Sequence, residues 1–261
     1  MNPSQSPADI RQSRVKAILE TCTMVAIIGA AAIVILKSLT GYFTVEAGPP
    51  GSATERKAVE TIAPVVVDIG HAPTSGAATA RIGIVVFSDF ECPFCGVFSR
   101  EVLPSLRKRY LDSGEVRIAF KQFPLTEIHP DARRVAELSA CLKDHDTFWK
   151  AHDFLFQSIQ ALPTITSNSL ASTLRIDPAA LHTCATQEGK ALVDADIKQG
   201  RALGLNGTPT FFLGKMKGNA VMAVLRLNGA TPLPAFDNAL GLSLVIASRL
   251  LDSRNDQAPA A

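Results

Sequence analysis

The stretch that most constrains this chain is Val85-Val86-Phe87-Ser88-Asp89-Phe90-Glu91-Cys92-Pro93-Phe94-Cys95-Gly96-Val97-Phe98. Residues 81–87 form an apolar, β-branched run that reads as a buried central strand. The run stops at a short turn, and the turn opens directly into a helical pattern. A helix begun at Pro93 holds Cys92 at or beside its N-cap and Cys95 one turn in, on the same side. Two sulfurs so placed can close a small disulfide ring. Cys92 also lies where unpaired backbone N–H groups and the positive dipole end favour an anion. A thiol there can drop from about 8.5 to about 3.5–7.5. The spacing predicts thiol–disulfide exchange.

The surroundings of that stretch predict the rest of a redox domain. Phe94, Val97, Phe98, Val102, Leu103 and Leu106 keep helical spacing, and Pro104 within it predicts a kink near the preceding turn. Gly114 ends the helix, and Val116, Ile118 and Phe120 alternate as a second strand. Strand, helix and parallel strand is the βαβ pattern, and a CxxC beside it is the combination expected of a thioredoxin-like site. With 261 residues, 47% of them apolar, the chain can bury one substantial core with an inserted subdomain. A net charge of +2 without a long basic run gives nucleic-acid binding no support.

The N-terminal part reads differently. Residues 1–16 are polar with a basic excess, which predicts a cytoplasmic N-terminus. Residues 21–36 (TCTMVAIIGAAAIVIL) carry no charge. They are short for a span of about 20 residues, but Lys16 and Lys37 can snorkel and Tyr42 and Phe43 can reach an aromatic belt. Residues 17–43 are therefore expected to be a transmembrane anchor. The competing reading is a cleaved signal segment with Val45-Glu46-Ala47 as its site; either way the bulk of the chain is exported. Residues 44–80, rich in Gly, Pro, Ala, Thr and Ser, read as a linker with a short strand over 64–69, and His71 as an exposed loop residue. Of the five cysteines, Cys22 falls in the apolar segment. If Cys92 and Cys95 pair with each other, Cys141 and Cys184 remain as a candidate structural disulfide, which fits an oxidising compartment. The alternative for those two is a pair of buried free thiols.

Ser88-Asp89-Phe90-Glu91-Cys92-Pro93-Phe94-Cys95, then Phe123-Pro124-Leu125, Phe148-Trp149 and Gly207-Thr208-Pro209-Thr210-Phe211-Phe212, taken in order, resemble the DsbA-like thioredoxin family over about residues 60–251. The implied class is α/β: a thioredoxin fold over 81–251 with a helical insertion at about 128–190, preceded by the transmembrane helix and followed by a disordered tail at 252–261. The insertion reads as helices over 130–143, 148–159 and 169–174 and one opened by Asp177-Pro178. A helix over 193–203 follows, then a hairpin turning at 214–218 and a last helix over 236–251. Trp149 and His152 read as packing residues, His129 and His145 as cap or surface positions.

By resemblance, Cys92 is the sulfur that forms a mixed disulfide with a client and Cys95 the one that resolves it. Pro93 and Phe94 shape the site. Pro209 is implied to follow a cis bond opposite the cysteines, with the Thr208 backbone free to pair with a bound peptide as an added strand. Exported proteins with free thiols are the implied clients. A membrane reoxidant of the DsbB or vitamin K epoxide reductase type is the implied partner, with the catalytic domain on the extracytoplasmic side of the inner membrane. No cofactor and no metal are implied; zinc would want a second CxxC or a nearby Cys/His pair.

Two departures stand out. The family usually carries a Glu six residues before the first cysteine; here that position is Val86, and a Lys121–Asp89 pair is one substitute, an ordinary surface arrangement the other. Glu91 beside Cys92 disfavours a thiolate, but it reads as exposed and screened, so the helix end is expected to win. The rival functions are a disulfide isomerase or reductase, to which Thr208 and Phe94 lean, and a client-binding chaperone or copper module without catalysis.

Overall fold

The computed structural model describes residues 59–255; the expected anchor at 17–43, and Cys22 with it, lies outside them. Six strands form one mixed sheet: β1 (Val59–Asp68), β2 (Thr74–Ser75), β3 (Ile82–Ser88), β4 (Val116–Gln122), β5 (Thr210–Lys217) and β6 (Ala220–Asn228), in the order β1-β6-β5-β3-β4-β2. Only β3 and β4 run parallel; the other pairs are antiparallel. All seven residues of β3 are buried, which is why its sequence is a continuous apolar run rather than an alternating one. Ile82, Ile84 and Val86 point into the larger core, and Val85 and Phe87 into a second core on the opposite face.

Helix α1 (93–111) covers the first face, burying Phe98, Val102, Leu103 and Leu106. Its turns alternate between α-helical Pro93–Val97 and Leu103–Leu106 and wider π turns at Phe98–Val102 and Arg107–Leu111. The first π turn is how the helix accommodates Pro104. The Leu103 N–H reaches back to Phe98 O, and the ladder is re-spaced where the ring would otherwise clash. The C-terminal helix α7 (Leu233–Asn255) shares that face through Phe236, whose ring meets Phe211 at 4.9 Å and Phe98 at 5.7 Å. Helix α6 (Lys190–Ala202) covers the other face, with Gly200 against the Phe87 and Phe123 rings.

Between β4 and β5 lie α2 (Ala132–Ala140), α3 (His145–Gln157), a 3-10 segment (Ile159–Thr164), α4 (Ser167–Leu174) and α5 (Pro178–Cys184). They close over an aromatic nucleus of Phe90, Phe120, Phe148, Trp149 and Phe156 with the His152 ring among them. Cys141 and Cys184 are joined by a disulfide between the ends of α2 and α5.

The structure corrects three expectations. Residues 59–80, read as linker apart from a short strand over 64–69, contribute β1 and β2 to the sheet. This edge strand is exposed along most of its length and broken near Pro64 by a shift in register, and only the part after the proline, with Val65-Val66-Val67, carries an apolar run to announce it. The β5–β6 turn lies at Gly218-Asn219, not at 214–218. Gly214 is a strand residue at a register shift, where a Cβ would stand 1.9 Å from Met222 O. Finally, α7 runs on through Asn255 into the expected tail, the rest of which lies outside the described residues.

Candidate active site

Cys92 caps α1 in an extended conformation, Pro93 is the first helical residue, and Cys95 follows one turn in. The Gly96 N–H closes that turn onto Cys92 O at 3.1 Å. Both cysteines are free thiols and both are buried, Cys95 completely. Thr208 and Pro209, joined by a cis peptide bond, face them from the loop before β5. In its thiol form Cys92 Sγ donates to Thr208 O at 3.4 Å. Cys92, Pro93, Cys95, Thr208 and Pro209 thus meet at one place, while Phe94 turns outward with 58% of its surface exposed. Cys141 and Cys184 belong to the insertion and not to this cluster.

The two sulfurs are electrostatically unlike. The Cys92 thiol is lowered from about 9 to about 6. The hydrogen bond from Cys95 contributes most, burial opposes it, and the Thr208 hydroxyl and the backbone N–H groups of Cys95 and Phe94 add to the lowering. The Thr208 hydroxyl is buried and has no hydrogen-bond partner among the described residues, so it is free to turn toward the sulfur. Cys95 is pushed well above the ordinary thiol value by burial and by the negative charge on Cys92, against weaker help from the Ser88 hydroxyl and the Asp89 N–H. The arrangement favours the thiolate on Cys92 and the protonated thiol on Cys95.

Asp89 organises the approach to this pair. Its buried carboxylate accepts the Glu91 N–H at 2.8 Å through Oδ1. Through Oδ2 it accepts the Leu125 N–H at 2.8 Å and meets His129 Nδ1 at 2.8 Å. The loop before Cys92 is thereby tied to the loop after β4. Glu91 in turn accepts the Asp131 N–H at 2.8 Å, so it is half-buried and engaged with the start of α2, not exposed. Of the two alternatives for Lys121, the pair with Asp89 is not formed, and neither is a surface arrangement, because Lys121 is buried. Lys121 is in register with Phe87 and shares its face of the sheet, where its Nζ pairs with Asp196 Oδ1 of α6 at 2.8 Å. Burial raises the Asp196 carboxyl despite that partner. Val86 is buried in the same apolar cluster as both sulfurs. His152 is buried among rings, held neutral by burial, and His145 Nδ1 accepts the Thr74 N–H at 3.2 Å.

Sequence reasoning missed Asp89 and His129 as parts of the site. The local half of the arrangement, an Asx turn closed two residues on, is a recognised habit of Asp before a helix; the contact to residue 129 has no local signal.

Residues 69–225 match the model of a family described as thioredoxin. Disulfide bond formation protein D of Bacillus subtilis is 28% identical over 156 residues, covering 54% of this chain and 67% of that protein. The sodium/proton antiporter NhaA 3 of Salinispora tropica is 28% identical over 182 residues, 69% of this chain. This chain spans 27% of the antiporter's length. Among solved structures, α-DsbA1 of Wolbachia pipientis superposes with a TM-score of 0.61 at 20% identity, covering 71% of this chain and 96% of that one; at that identity the likeness is one of fold.

Proposed function

This chain belongs to the thioredoxin family and has the DsbA-like form of its fold, and we propose that it is a thiol:disulfide oxidoreductase that forms disulfides in exported proteins. The observation that carries the reading is the division between the sulfurs, Cys92 lowered to about 6 and Cys95 raised beside it. In the oxidised enzyme a client thiolate attacks Cys92 Sγ of the Cys92–Cys95 disulfide. The S–S bond breaks and Cys95 leaves as a thiolate that takes up a proton, which its raised affinity favours. A second client thiolate then attacks the client sulfur of the mixed disulfide and releases Cys92 as a stable thiolate. Two electrons pass from the client dithiol to the enzyme, and stabilising the reduced form makes the disulfide oxidising.

Reoxidation falls to a membrane partner of the DsbB or vitamin K epoxide reductase type, and residues 17–43 hold the chain to the membrane with this domain outside the cytoplasm. The uncharged 21–36 segment and its basic N-terminal flank support that placement. Among the described residues no helix is long and apolar enough to cross a membrane.

Replacing Cys95 with Ala removes the resolving sulfur, so the full chain should accumulate covalent Cys92–client adducts, released by reductant, on incubation with disulfide-containing unfolded polypeptides. An absence of adducts assigns a binding module instead. In intact cells, a membrane-impermeant thiol reagent should find the wild-type pair oxidised; a reduced pair assigns a reductase or isomerase.

A further inference from the structure

Beside the cis Thr208–Pro209 bond lies an open cavity of about 390 Å³, lined by Glu60, Asn206, Thr208, Pro209, Arg226 and Asn228 among others. It adjoins the reacting sulfur, because Thr208 O is the atom Cys92 Sγ touches. Its cation is fixed in place. Arg226 stands between Glu60 and Phe212 in the sheet register, with its guanidinium 5.9 Å from the Phe212 ring centroid. Arg226 Nε donates to Asn228 Oδ1 at 3.0 Å, and the Thr210 hydroxyl shares its one proton between Gly207 O at 2.9 Å and Asn228 Oδ1 at 3.4 Å. The guanidinium is thus braced against the loop that carries Thr208. Among the described residues no carboxylate lies within ion-pair distance of it, so its terminal nitrogens are available to a ligand.

We propose that this cavity is a client subsite for an acidic side chain within about three residues of the reacting cysteine, and that Arg226 is the residue that reads it. Thr208 both touches Cys92 Sγ and lines the cavity, so a chain joined to Cys92 and running past Thr208 and Pro209 comes to it, and Arg226 is the one cation among its described lining residues. A planar, pre-positioned guanidinium suits a carboxylate because little side-chain freedom is lost on binding. Glu60 lines the same cavity but is exposed and has no bracing contact among the described residues, so it weakens the preference rather than reversing it.

The inference rests on the oxidoreductase reading above, and the test separates the two. Oxidised full-length protein is mixed with unstructured dithiol peptides that differ only in Asp, Asn or Lys two residues to either side of the reacting cysteine. Each rate is normalised to that peptide's exchange with a small-molecule disulfide, which removes intrinsic thiol reactivity. The Asp peptide should react about five- to tenfold faster than the Lys peptide at low salt, less so at high salt. Arg226→Gln should bring the ratio close to one, Arg226→Lys should keep part of it, and Glu60→Gln should widen it. A ratio near one in the wild type, or one unchanged by Arg226→Gln, overturns the subsite while leaving the exchange reaction standing. Failure with every peptide, the Asn one included, overturns the oxidoreductase reading and the subsite with it.

Discussion

Cys92 is where a single proton decides the chemistry. Alkylation of the reduced protein should rise with pH to a plateau with a midpoint near 6, because the thiolate and not the thiol reacts. A midpoint above 8 would remove the basis of the mechanism. In the same measurement Thr208→Val, which deletes a hydroxyl that favours the thiolate, should move the midpoint up by as much as about one unit. The linkage to stability has a definite sign. The folded Cys92 value lies below the unfolded one, so the thiolate stabilises the reduced protein fully above the ordinary thiol value. That contribution fades as pH falls through about 6. Residue types and spacing were enough to locate this group from sequence, because an N-cap cysteine followed by proline fixes its own environment over one turn. Glu91 was misjudged for the opposite reason: its partner, the Asp131 N–H, comes from forty residues away.

Between elements, two buried carboxylates carry the joints. Asp89 satisfies two backbone N–H groups and an imidazole on two loops. Asp89→Ala should therefore lower the unfolding free energy by about 2–4 kcal/mol in a urea titration. Asp196 fastens β4 to α6 through Lys121 Nζ and the Gln122 N–H. Lys121→Met alone should destabilise by about 3–5 kcal/mol, since it strands a buried carboxylate, whereas Lys121→Met with Asp196→Leu should cost far less. Equal losses in the two variants would show that the ion pair itself is not what joins the elements. Strands β3 and β4 and the insertion helices could be read from periodicity, and the caps of α3 and α5 at Asp144 and Asp177 obey local rules. The partners of Lys121 and Asp89 could not, because local sequence does not say which face of the sheet a distant helix will cover. The second half of β1 was legible as the short strand over 64–69, but its first half was not, because mostly exposed residues before a proline look like a linker.

At the scale of the whole molecule, the Cys141–Cys184 bond closes a loop of 43 residues' separation across the insertion. Replacing both by Ala should reduce stability by roughly 2–4 kcal/mol under non-reducing conditions, with the alkylation midpoint of Cys92 unmoved. A shifted midpoint would mean that the insertion and the cysteine pair are coupled. The complete burial of Cys95 has a consequence for traffic through the enzyme. Of the two cysteines only Cys92 keeps any exposed surface, 3% against none, so each protein molecule carries a single passenger at a time. Where no outside thiol is present, a passenger that lacks a second thiol is discharged by the sealed sulfur turning on its neighbour from within. Stalled adducts should therefore clear at a pace set by the enzyme and indifferent to the concentration of waiting chains whose own thiols are blocked.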